Sequence, residues 1–175
     1  MYIFRKATPE DLNKVLEILD SVLLSKMTSR KNGFLTFNPG KEFYQDLINK
    51  TKFFYVAQDK KKIVGFLIAV PSGLLNPIDE IQKFFIDNYK KEKFVYIFQI
   101  AVSPEQQTKG VGRGLYKKLF ADTKSIKKMV VTSAVPHNQA SEKFHLKLGF
   151  KKIGKLVRSD GGESFIYENT EAEIR

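Results

Sequence analysis

The chain has 175 residues, of which 42% are hydrophobic and 28% charged, proportions that exclude a disordered or fibrous chain. It contains no cysteine, which removes disulfide frameworks, thiolate metal sites and thiol nucleophiles from consideration. The net charge is +11, and of the 30 basic residues only five are Arg (Arg5, Arg30, Arg113, Arg158, Arg175). Bidentate readout of phosphate or guanine favours Arg, so the excess is expected to coat a solvated surface rather than to read nucleic acid.

In chain order, residues 2–6 predict a short strand, and Thr8-Pro9-Glu10-Asp11 the capped start of a helix. Leu12, Val15, Leu16, Leu19, Val22 and Leu23 continue that helix at its period. Residues 28–40 are irregular, with breakers at Asn32-Gly33 and Asn38-Pro39-Gly40, and 42–50 predict a second short helix. Residues 52–58 and 62–70 form a hairpin pattern around Asp59-Lys60-Lys61. Asn76-Pro77-Ile78-Asp79-Glu80 predicts a helix start, continued by Ile81, Phe84, Phe85 and Tyr89. Then come the strongest strand (94–102), a Gly-rich turn, a helix (111–123), a strand (128–135), and a helix (137–148) with Ala140, Phe144 and Leu148 on one stripe, stopped by Gly149. Residues 150–158 and 164–169 predict a last hairpin around Asp160-Gly161-Gly162.

No repeat or linker divides the chain, so one domain over 1–175 is expected. The longest apolar run, 63–70, is far below the roughly 18 residues of a membrane helix, and the polar turn at 8–11 leaves no signal-peptide core. A cytoplasmic protein with no membrane partner is the expectation. His137 and His145, eight residues apart without nearby ligand types, predict no metal site.

The chemistry concentrates where the strand 94–102 runs into Gly110, Gly112 and Gly114 at a helix start. Glycines let backbone amides crowd an anion, the helix N-terminus adds positive partial charge, and Lys109 and Arg113 add whole charges. A Walker loop is absent, since no Lys-Ser or Lys-Thr follows these glycines. A dinucleotide fingerprint also fails, since its third glycine would fall on Leu115 or Lys117. The pattern present is Q-x-x-G-x-G, Gln107-Thr108-Lys109-Gly110-Val111-Gly112.

With that motif after Ile100-Ala101-Val102, and with the segment from Asn138 through Phe144-His145 to Gly149-Phe150 downstream, the sequence resembles the GNAT superfamily of acetyl-CoA-dependent N-acetyltransferases. The resemblance spans about residues 2–169. It implies an α/β (α+β) fold, a mostly antiparallel, splayed mixed sheet flanked by helices, with no metal. It implies transfer of acetyl from acetyl-CoA to a primary amine of a small molecule or peptide by direct attack through a tetrahedral oxyanion. Position by position, it implies that the strand 94–102 splays from 128–135 and admits the pantetheine arm. Backbone groups of Ile100 and Val102, with Ala101 between, would bind that arm. The amides of Thr108, Lys109, Gly110, Val111, Gly112 and Arg113 would hold the pyrophosphate, and Asn138 would contact the coenzyme.

The family's acidic Tyr position, four residues before the Gly of Gly-Phe, is His145 here. An imidazolium is a competent general acid; a helix residue beside the core stripe is the alternative. The base is not readable, because residues 94–102 contain no carboxylate; Tyr96, Gln99 and a water relay are the candidates, and Tyr116 is expected to pack. Residues 27–40 and 72–93 look additional to a minimal family member and would border the acceptor entrance. Asp79, Glu80 and Asp87 in the second segment form either an acidic lid or ordinary capping, and its aromatics (Phe84, Phe85, Tyr89) are either core or a homodimer contact. Two other functions stand beside the enzyme: a catalytically silent acetyl-CoA sensor or scaffold of the same fold, and a basic RNA-binding module using Phe53-Phe54-Tyr55.

Overall fold

A computed structural model describes residues 1–174. Strand β1 (Tyr2–Lys6) leads through a single 3-10 turn into helix α1 (Leu12–Ser21), and a long loop then reaches α2 (Lys41–Lys50). Strands β2 (Phe53–Asp59) and β3 (Lys62–Pro71) form the hairpin, followed by α3 (Glu80–Asn88) and β4 (Phe94–Val102). Helix α4 (Val111–Thr123) crosses over to β5 (Lys127–Ser133), and α5 (Gln139–Lys147) precedes the hairpin of β6 (Lys151–Val157) and β7 (Glu163–Asn169). The strands make one seven-stranded sheet in the order β1-β2-β3-β4-β5-β7-β6, antiparallel throughout except for β4 beside β5.

The central strands read as continuous apolar runs because helices cover both faces. Tyr55 and Ala57 of β2 pack with Leu115, Leu119 and Phe120 of α4. Their neighbours Phe54 and Val56, one residue out of phase, pack with Val15 and Leu19 of α1 and Tyr44 of α2. The rings of Phe54 and Tyr55 are thus buried, and of the three aromatics named for RNA stacking only Phe53 is partly exposed. A third cluster seats α3 on β4, β5 and β7 through Phe85, Phe94, Tyr96, Met129 and Ile166, with Phe84 and Tyr89 packed against it. Phe85 is thus a core residue, while Phe84 and Tyr89 are half-buried beside it.

Two helices start later than the sequence predicts, and in each a side-chain cap explains why. Asp79 accepts the Gln82 amide at 2.8 Å, so α3 starts at Glu80 and Ile78 lies outside it, 89% exposed. Asn138 accepts the Ser141 amide and starts α5 at Gln139. At the N-terminal end, Asp11 completes a capping box with Thr8 and takes both terminal nitrogens of Arg5, at 2.6 and 2.8 Å. Among the described residues, no helix is long and apolar enough to cross a membrane.

Gly114 brings α4 down onto β1: a Cβ there would stand 2.0 Å from Cζ of Phe4. Overpacking of this kind costs about 1–3 kcal/mol, more than the roughly 1 kcal/mol that alanine gains over glycine in a helix. Gly114→Ala should therefore lower the urea midpoint. In a Phe4→Ala background, where the ring is gone, the same change should raise it.

Candidate active site

Strands β4 and β5 run parallel but pair only from Phe94↔Lys127 to Ile97↔Val130. Where pairing stops, β4 carries a bulge: against β3, Ile97 opposes Ala69 and Gln99 opposes Ile68, leaving Phe98 as the extra residue. A bulge bends and twists its strand. Farther along, the Ser103 N–H donates to the Val64 carbonyl at 2.9 Å. By the alternation of an antiparallel pair, the backbones of Gln99 and Ala101 then face β3, and those of Ile100 and Val102 face the gap. The gap opens into a cleft of about 1000 Å³ lined by β4, β5, the turn before α4, the start of α5 and parts of the segments 31–37 and 79–81.

At the cleft's wide end, Gln107 Nε2 donates to the Val102 carbonyl at 3.1 Å, so the motif glutamine ties the turn to the strand end. Thr108 (φ 65°) and Gly110 (φ 84°) both take positive φ. The amides of Val111, Gly112 and Arg113 belong to the first turn of α4 and have no intrahelical acceptor. Thr108, Lys109 and Arg113 are exposed there.

The three glycines serve different ends. Around Gly110 a Cβ would meet nothing within 4 Å, so the backbone conformation alone calls for glycine. At Gly112 a Cβ would stand 3.0 Å from Cζ of Phe144 on α5, and Gly114 meets Phe4. Only the first acts through the turn; the other two admit aromatic rings.

Asn138 is 5% exposed and already occupied: its Nδ2 donates to the Phe34 carbonyl at 2.8 Å and its Oδ1 caps α5. It joins the loop after α1 to the start of α5. His145 is 1% exposed and stands edge-on to the rings of Tyr116, Phe144 and Phe150. Its Nδ1 lies 2.7 Å from the Ser141 carbonyl, which can only accept, so Nδ1 carries the proton. Nε2 is left to accept from the Tyr116 hydroxyl at 2.6 Å. Burial pushes the imidazole pKa down to about 4, against a smaller upward pull from the Ser141 carbonyl. The environment of His145 thus favours a neutral ring with both nitrogens engaged, not the imidazolium that proton donation requires.

Of the candidate bases, Tyr96 is buried and its phenol is pushed far above the ordinary range by desolvation. Gln99 is a buried bridge: its Nε2 donates to the Phe37 carbonyl at 2.8 Å and its Oε1 accepts from Tyr44 at 2.7 Å. Tyr116 is fully buried among Phe120, Phe144 and Phe150, a packing residue as expected.

The sequence did not point to Phe98 as a bulge, to Gln99 as the anchor of the loop 28–40, or to the β6–β7 turn as a wall of the cleft. Arg158, Ser159 and Asp160 from that turn line it, and Glu80 at the start of α3 accepts both the amide and the hydroxyl of Ser159. The Asp160-Gly161-Gly162 turn was visible in sequence; its position over the cleft depends on this contact 79 residues away.

The family model described as "Acetyltransferase (GNAT) family" matches residues 22–150. The fold is similar to Ard1 from Thermoplasma volcanium, with TM-score 0.70, 17% identity and 97% of each chain covered. It is similar to Arabidopsis thaliana NAA60 in complex with acetyl-CoA, with TM-score 0.70, 16% identity and coverage of 97% of this chain and 99% of that one. It is also similar to Chaetomium thermophilum Naa20 in complex with a bisubstrate analogue, with TM-score 0.70, 19% identity and coverage of 97% and 86%. The chain matches no curated protein sequence.

The neutral burial of His145 has a consequence for stability. Its folded pKa of about 4 lies below the unfolded value of about 6.5, so its contribution is fully present above pH 6.5 and is lost as pH falls towards 4. His145→Gln should flatten the pH dependence of unfolding free energy across that window, by on the order of 3 kcal/mol in total. Parallel curves for the two proteins in urea titrations from pH 7 to pH 4 would contradict the burial described.

Proposed function

The chain belongs to the acetyltransferase (GNAT) family, and from that premise we propose that it transfers the acetyl group of acetyl-CoA to a primary amine of a small molecule or peptide by direct attack. The observation that carries this reading is the stretch of β4 at Ile100 and Val102 that has no strand partner on the β5 side, opening onto a turn of amides at a helix N-terminus. Such a cleft suits an extended arm with amide groups along it and a pyrophosphate at one end. The Ile100 groups and the Val102 N–H bind the arm; the Val102 carbonyl is less available, because Gln107 already donates to it. The amides of residues 108–113 take the pyrophosphate, with Lys109 and Arg113 adding charge. Asn138 contributes by holding Phe34 and the start of α5 beside the cleft.

Acetyl-CoA supplies an activated thioester; a nitrogen–carbon bond forms, the carbon–sulfur bond breaks with its electron pair going to the CoA thiolate, and the proton lost by the amine passes to solvent. N–H groups of β4 that face the gap are donors fixed in advance for the thioester carbonyl. Positioning of the two reactants in one cleft supplies much of the remaining acceleration. His145 is here a positioning residue: burial lowers its pKa and favours the neutral ring at pH 7. The thiolate then leaves without imidazolium assistance. The same neutrality favours one alternative, a catalytically silent acetyl-CoA sensor or scaffold. Cytoplasmic location belongs to the proposal and is checked by fractionation.

Calorimetric titration should give micromolar binding of acetyl-CoA, and Arg113→Glu, at an exposed position, should weaken it at least about ten-fold through lost charge at the phosphate rim. Release of free thiol with any member of an amine panel separates the enzyme from the silent binder. With a reactive amine, kcat/KM should rise with pH towards that amine's own pKa, with no falling limb between about pH 6 and 8. A falling limb there that His145→Gln removes would return proton donation to His145.

A further inference from the structure

The cleft passes through the sheet, and its two mouths differ. The Gly-rich turn, α4 and α5 bound it on one face. On the other, Phe98 lies with the clusters built by α1, α2 and α3. There the wall is aromatic. Phe98, at the point where β4 leaves β5, lies 5.4 Å from Phe43 and 6.4 Å from both Tyr96 and Phe37, ring centre to ring centre. Phe37 meets it edge-on and is itself 50% exposed. Its place does not depend on a loose loop, because Gln99 from β4 holds the Phe37 carbonyl and Tyr44 from α2 holds Gln99. A half-exposed ring on a backbone pinned by a buried hydrogen-bonded pair is a preformed apolar contact.

Charge along the cleft argues in the same direction. Its lining includes five Lys and Arg (Lys31, Arg113, Lys143, Lys147, Arg158) and three carboxylates. All three carboxylates accept hydrogen bonds within the protein, and only Asp160 lies beside a cation. Asp79 caps α3, Glu80 takes the Ser159 amide at 2.9 Å, and Asp160 takes the Gly162 amide at 2.7 Å and lies 3.4 Å from Arg158 Nε. On the acceptor side Lys31 and Arg158 stand against Asp79, Glu80 and Asp160, so an acceptor with several ammonium groups would find an excess of only one carboxylate. A single amine would lose its proton more readily against the aromatic wall, through desolvation, and that unprotonated form is the nucleophile.

We propose that the acceptor is a primary amine carrying an aromatic or large apolar group close to the nitrogen, and that Phe37 is the side chain that selects it. This rests on the acetyl-transfer reading above. The test compares 2-phenylethylamine, propylamine and spermidine by thiol release with saturating acetyl-CoA, in the unaltered protein and in Phe37→Ala and Phe37→Leu. In the unaltered protein 2-phenylethylamine should exceed both other amines in kcat/KM by about ten-fold or more. Phe37→Ala should remove most of that margin by raising KM for 2-phenylethylamine far more than for propylamine, and Phe37→Leu should restore part of it. Preference for spermidine, or an equal loss for all amines in Phe37→Ala, would overturn the assignment. Calorimetric titration of the three amines into the CoA-saturated protein separates the two claims. Tighter binding of 2-phenylethylamine, lost in Phe37→Ala, without any thiol release, would sink acetyl transfer and keep the aromatic site; no preference in binding would sink the site.

Discussion

A strand in the middle of a sheet normally spends its backbone donors and acceptors on both neighbours, since an unpaired buried amide is costly. On β4 that rule is kept towards β3 along its length and broken towards β5 after Ile97. The bulge at Phe98 sits where the rule breaks. From this one departure follow the groups of Ile100 and Val102 that face the gap, the volume beside them, and the aim of the turn that leads into α4. A β4 that stayed paired to Val102 would leave no room for an arm to enter and no donors to meet it.

The remaining contacts can be understood as support for that opening. Gln107 ties the turn to the end of β4, Gln99 ties the loop after α1 to its middle, and Asn138 ties the same loop to α5. Each is an amide side chain that is at least partly buried and bonded to a backbone carbonyl of another segment, so losing one would leave a carbonyl without its donor. His145 belongs to the same class of support. Its ring joins α5 to Tyr116 of α4, and its burial favours the neutral form.

How much of this the sequence disclosed depends on the range of the interactions. Helices α1 and α4 and strands β2 to β4 follow from periodicity, because their covering faces are written in consecutive residues. The Gly-rich turn was legible for the same reason. Gly110, Gly112 and Gly114 look alike in sequence, yet one meets open space, one Phe144 and one Phe4; nothing local separates a conformational glycine from a packing one. Residues 28–40 looked merely irregular, since what organises them are bonds from Gln99 and Asn138, 62 and 104 residues away. The state of His145 was likewise hidden, because it is set by Tyr116, 29 residues earlier, and by burial that the helical period of α5 assigned to Ala140 and Phe144 instead.

The most direct measurement of the central claim is an amide chemical-shift titration of isotope-labelled protein with acetyl-CoA. The perturbed amides should be those of Ile100, Val102 and residues 108–113, with the paired stretch of β4 from Phe94 to Ile97 unaffected. Saturable shifts clustered elsewhere, or none at millimolar acetyl-CoA, would contradict the assignment of the β4–β5 opening as the coenzyme site.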